Sequence, residues 1–128
     1  MEELPEQFWQ GVREFQQSQF YECHDTLEAL WIEAQEPNKT LFQGILQIAV
    51  ACYHLSNDNW RGAVILLGEG VRRLSTYQPD YIGLDIEYLV NTSADLLDHL
   101  RIIGPEKFKE HTLQTTNFMP KPILRQWT

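Results

Sequence analysis

The stretch TLFQGILQIAVACYHL, residues 40–55, limits the fold more than any other part of the chain. At 100° per residue, Phe42, Ile45, Leu46, Ala49 and Tyr53 share one face of a helix. Leu41, Ile48, Cys52 and Leu55 share another, and Gly44 and Ala51 leave a bare flank for close approach. A helix that is apolar nearly all round has to be covered on most sides. The rest of the chain is therefore expected to wrap it. Its polar side chains beyond Thr40 fall in one narrow stripe, Gln43, Gln47 and His54, with Val50 between them.

The remaining sequence has the same period. Phe8, Trp9, Val12 and Phe15 predict a helix over about 5–17, opened by Pro5. Phe20, Cys23, Leu27, Leu30 and Ala34 predict a second over about 20–34, stopped by QEPNK, where Pro37 cannot continue a helix. After the third helix, SNDN suits a turn. A fourth is expected from Trp60 to about Tyr77 and a fifth from about Leu84 to Ile102, ended by Gly104-Pro105. No useful length alternates with period two. The expected class is all-α: a compact bundle of two αα-hairpins plus a fifth helix. The expected domain is 1–103, with 104–128 as a C-terminal arm packed on it, extended where NFMPKPILRQWT carries its two prolines. The first two helices also resemble the next two when slid by 40 positions: Phe15 falls on Leu55, Ser18 on Asp58, Phe20 on Trp60, Cys23 on Ala63 and Leu27 on Leu67. Two such units are too few for a solenoid, so a closed bundle is expected.

At 128 residues one domain can bury a core without a disulfide or metal. No run approaches the ~20 apolar residues of a membrane span. The acidic start MEELPEQFWQ does not read as a secretory signal. Cys23 and Cys52 lie inside helical patterns without CxxC spacing, which fits buried thiols in a reducing, cytoplasmic setting. Residues 1–60 carry ten acids and two bases, a net charge of −8, whereas residues 61–128 carry eight of each. An acidic body argues against nucleic-acid binding, which needs a basic face.

Chemistry is most readily sought in YECHDTLEALW, where Tyr21, His24, Glu28 and Trp31 share one edge of the second helix. These are expected to face Gln43, Gln47 and His54 across the helix pair, because buried amides and imidazoles need partners. His24 and Glu28, four apart, can reach one metal ion. A second helix supplying amides and one distant histidine is a poor ligand set, however, and no metal ligands are assigned. Glu28 could instead make His24 a general acid or base, although no serine or cysteine is placed to complete a nucleophilic dyad. The blander expectation is a satisfied network that fixes how the helices pack. Gly62, Gly68 and Gly70 are not a phosphate loop, since no GxxxxGK[ST] follows a strand. Arg72 and Arg73 suit the dipole at the end of the fourth helix.

These residues resemble domain-of-unknown-function family 309, a family of small all-helical proteins. Its pattern F-x-x-G-x-x-x-F, then Y-x-E-A-H-E-x-L-E-x-x-W, then F-x-Q-G-L-I-Q-x-A-x-A-x-Y-H, then N-x-x-G-A is met here by Phe8, Gly11 and Phe15, then by FYECHDTLEALW, LFQGILQIAVACYHL and NWRGA. The resemblance implies an all-helical fold and singles out His24, Asp25, Glu28, Trp31, Gln43, Gly44, Gln47 and His54. It implies no activity. Asp25 stands where the family has glutamate, which weakens that position as a ligand.

The functional expectation is a non-catalytic module that binds a protein partner or small ligand through Tyr21, His24, Glu28, Trp31, Gln43, Gln47 and His54. The alternative is a metal-assisted or acid–base hydrolase using His24 and Glu28. No cofactor follows from the sequence. The arm from Asn117 is expected to pack on its own chain or on a second copy, which would make a homodimer.

Overall fold

The computed structural model describes residues 4–108. The chain forms α1 (Glu6–Gln16), α2 (Phe20–Glu33), α3 (Asn38–Ser56), α4 (Trp60–Leu74) and α5 (Ile86–Lys107), with a 3-10 turn at Ser75–Tyr77. Among the described residues the only β feature is one isolated bridge, Tyr81 to Leu84. The all-α expectation holds. No described helix is long and apolar enough to cross a membrane. The arm expected beyond residue 108 lies outside the described residues.

Helix boundaries shift where capping overrides the apolar period. α3 starts at Asn38, two residues earlier than its pattern implied, because Pro37 is tolerated at a helix opening, where its missing N–H costs nothing. Glu36 then accepts from both the Thr40 backbone N–H (2.8 Å) and the Thr40 hydroxyl (2.5 Å). α5 starts after Asp85, whose side chain accepts from the Tyr88 N–H at 3.0 Å, a normal N-cap. At its far end Gly104 takes φ 72° and interrupts the helix before Pro105. One more turn follows and buries Phe108.

The 40-residue offset reappears in the backbone. Ser18 and Asp58 both adopt left-handed φ, 61° and 59°. Each turn is closed by the same pair of bonds: Ser18 N–H to Phe15 O and Gln19 N–H to Glu14 O, then Asp58 N–H to Leu55 O and Asn59 N–H to His54 O. Serine and aspartate stand where glycine is commoner, and short polar side chains tolerate that region better than most. The apolar positions that follow, Phe20, Cys23 and Leu27 in one half and Ala63 and Leu67 in the other, are all buried.

Within the chain each helix packs on the next, and α3 runs between α2 and α4. Its Leu41, Ile45, Ile48, Ala49, Ala51 and Cys52 are fully shielded from solvent. Each large apolar side chain buried this way contributes about 1.5–3 kcal/mol. On the α4 side the approach is closest. A Cβ added at Gly70 would lie 2.6 Å from Ile48 Cγ1 and 3.0 Å from the Gly44 carbonyl, and one added at Gly44 would lie 2.8 Å from Leu74. Two glycines therefore let the backbones of α3 and α4 meet. The indole N–H of Trp60 donates to the Leu100 carbonyl at 2.8 Å, tying α4 to α5. Both cysteines are free and buried. Burial, reinforced by Glu14, pushes the Cys23 thiol up to about 12, as expected of structural rather than reactive thiols.

Candidate functional site

α2 and α4 flank α3 and stand above it on the solvent side, leaving a groove whose floor is the polar stripe of α3. Leu66 and Arg73 of α4, seven apart and so on one helix face, stand on one side of it, Leu66 lining it and Arg73 reaching Gln47. Tyr21, His24, Glu28 and Trp31 form the other wall by the same rule. Two adjoining clefts open along this groove. One, of about 200 Å³, is lined by His24, Trp31, Gln43, Leu46, Gln47, Val50 and Leu66. The other, of about 170 Å³, is lined by Tyr21, His24, Val50, Tyr53 and His54. His24 and Val50 border both. Apart from Glu28, every residue expected at the site lines one cleft or the other, and Glu28 is bonded to a residue that lines both.

The bonding differs from the expected network between α2 and α3. His24 is half-buried and held along its own helix: Nδ1 lies 3.2 Å from Asp25 Oδ1 and Nε2 3.1 Å from Glu28 Oε2. Carboxylates only accept, so each of these contacts needs a proton on the ring nitrogen that makes it. Gln47 turns to the opposite wall, where its Oε1 accepts from Arg73 Nη1 at 3.2 Å. Arg73 is in turn bonded to Glu69. Guanidinium has no acceptor, so the Gln47 amide can meet it only through its oxygen, and its NH2 group is left without a protein partner among the described residues. Gln43, half-buried, has no hydrogen-bond partner among them either. Arg73 thus does more than balance a helix dipole: it orients an amide on the groove floor.

His54 belongs to the turn after α3. Asn59 caps α4 by accepting from the Gly62 N–H at 3.0 Å through Oδ1. Its Nδ2 then faces His54 Nδ1 at 3.1 Å. That nitrogen must be the acceptor, which places the ring proton on Nε2. His54 and His24 meet only as neighbours around the smaller cleft, alongside Tyr21 and Tyr53, whose rings are 5.9 Å apart.

Trp31 is fixed by Lys39, whose Nζ donates to the Trp31 carbonyl at 2.8 Å and lies 5.0 Å over the indole ring, a cation–π contact. The Trp31 indole N–H is closed off from solvent and has no acceptor among the described residues. Such orphaned donors are rare. Among the described residues no three His, Cys, Asp or Glu side chains gather as a cation site would require. A larger depression of about 400 Å³ lies across α2, lined in part by Pro5, Gln7, Glu33, Glu36 and Phe42. There the Glu36 carboxylate is already taken up by Thr40.

The fold and groove define a small all-α domain with an open, polar-edged trough over its central helix. Residues 8–66 match the model of the family described as Domain of unknown function (DUF309), the family whose motifs the sequence resembles. All seven expected site residues fall inside the match. Arg73 and Glu69 fall outside it. A relative from Bacillus subtilis (strain 168), named Uncharacterized protein YpuF, is 29% identical over 91 residues, which is 69% of this chain and 52% of that protein. The chain thus spans about half the length of that relative. No solved structure matches the chain.

Proposed function

We propose that the groove over α3 is a binding surface and that the domain is a non-catalytic recognition module. Tyr21, His24, Glu28 and Trp31 serve as one wall, and Gln43, Gln47 and His54 as the floor. One observation carries this reading: the groove has unused hydrogen-bonding capacity beside apolar surface. The Gln47 amide is oriented from behind by Arg73 with its NH2 unbonded among the described residues, and Gln43 beside it on the floor has no hydrogen-bond partner among them. The larger of the two clefts is lined beside them by Leu46, Val50 and Leu66. Concave apolar surface with a few placed polar groups is the usual form of a recognition site. The hydrolytic alternative gains nothing from the geometry, because both ring nitrogens of His24 already face carboxylates.

The test compares the full chain with Val50→Trp, which fills the groove, as baits in cell extract and in native mass spectrometry of the purified protein. A bound protein or small molecule retained by the natural chain and lost in Val50→Trp is expected. Identical binding by both, with Val50→Trp folded, would remove the groove from consideration.

A further inference from the structure

The two crests beside the groove carry opposite charge. α2 has four acids and no lysine or arginine, with Asp25 63% and Glu28 47% exposed. α4 has three arginines against one glutamate, with Arg72 66% exposed. Between and upon these crests stand Tyr21, Ile32, Tyr53 and Ile65, four of the six large hydrophobic side chains that the described chain exposes. Exposed apolar groups gathered on one face, rather than scattered singly, mark an interaction surface.

We propose that this face is the interface of a symmetric dimer, in which α2 of one chain lies over α4 of a second copy about a two-fold axis parallel to α3. This rests on the reading of the groove as a binding surface and names its occupant. Face-to-face copies can be related by an axis running across the groove or along it. An axis across it sets α2 on α2, acid against acid. An axis along it sets α2 over α4, acid against base, and symmetry makes the match twice. The level along the groove also fits. Glu28 stands between His24, beside Val50, and Trp31, beside Gln43, while Arg72 adjoins Arg73, which bonds Gln47. Glu28 and the partner subunit's Arg72 therefore meet at the same height, since a pure rotation permits no slide along its axis. Tyr21 and Ile65 supply the apolar contact at the other end.

Sedimentation equilibrium of the full chain at low salt, across micromolar concentrations, is expected to give twice the 15.0 kDa chain mass. Glu28→Arg sets two like-charge pairs in the interface and is expected to raise the dissociation constant about tenfold or more. Adding Arg72→Glu to the same chain should restore it. Should Glu28→Arg fail to fold by circular dichroism, Arg72→Glu alone provides the same like-charge test. A monomer at every concentration overturns the dimer but leaves the Val50→Trp comparison to decide the binding surface by itself. A dimer indifferent to both charge reversals overturns this interface.

Discussion

α3 has two unlike sides. Toward α4 it is dry and so close that glycine is required on both helices, with Gly70 against Ile48 and the Gly44 carbonyl. Toward solvent it carries Gln43, Gln47 and Val50 at the bottom of an open trough. One side is fixed by shape, so its tolerance is counted in tenths of an ångström. The other is fixed by a single bond reaching from a neighbouring helix, Arg73 to Gln47, and leaves room. The contrast shows how one nearly all-apolar helix can be a structural centre and a binding floor at once. Packing is concentrated where backbones touch, and unpaired polar groups are kept where water or a partner can meet them.

Substitutions should separate the two sides by size of effect. Gly70→Val is expected to cost the most, about 3 kcal/mol or more in urea unfolding, because the new side chain meets a core isoleucine and a backbone carbonyl that cannot move aside. A loss near zero would show that α3 and α4 are not in close contact. Gln47→Leu should cost about 1 kcal/mol. It removes one bond to Arg73, but that guanidinium keeps Glu69 and is 21% exposed, so no charge is stranded. A loss matching that of Gly70→Val would place the amide in a closed core network. Glu36→Gln, at the solvent-exposed opening of α3, should have the smallest effect, and one that depends on pH. The Thr40 hydroxyl and then its backbone N–H hold the Glu36 carboxyl below its ordinary value of 4.5. A folded-state value below the unfolded one stabilises the fold above the unfolded value and is lost as pH falls through the folded one. The difference between the natural chain and Glu36→Gln should therefore be constant near neutrality and shrink below pH 4.5. A difference that grew on acidification would contradict the cap.

Much of this architecture was legible before any coordinates. The period of the apolar residues located five helices, and the 40-residue offset anticipated two like turns, which the structure shows to share a left-handed residue at Ser18 and Asp58. The stripe of Gln43, Gln47 and His54 was visible because three polar residues stand out on an otherwise apolar helix. Their partners were not visible. Whether Gln47 leans toward α2 or α4 depends on how α3 is rotated between its neighbours, which the glycine contact with α4 determines. Glu69 and Arg73, four apart on α4 and so able to pair along it, were the available signal, but Arg73 also suits a helix dipole and was assigned to that role. Similarly, His54 was grouped with His24 because both lie on polar edges, whereas Asn59, the cap of α4, takes its Nδ1. The boundaries of α3 and α5 moved because Glu36 and Asp85 supply caps that an apolar period does not register.

The contrast between the sides of α3 can be measured at two positions on that one helix. Ile48 faces Gly70 and is fully buried, while Val50 lines both clefts. Equilibrium denaturation of Val50→Trp should show a change of less than about 1 kcal/mol, because the added ring enters open space, whereas the same residue in a packed core costs about 1–3 kcal/mol or more. Val50→Trp unfolding as readily as Ile48→Trp would mean that the groove is closed and that α3 has no open side.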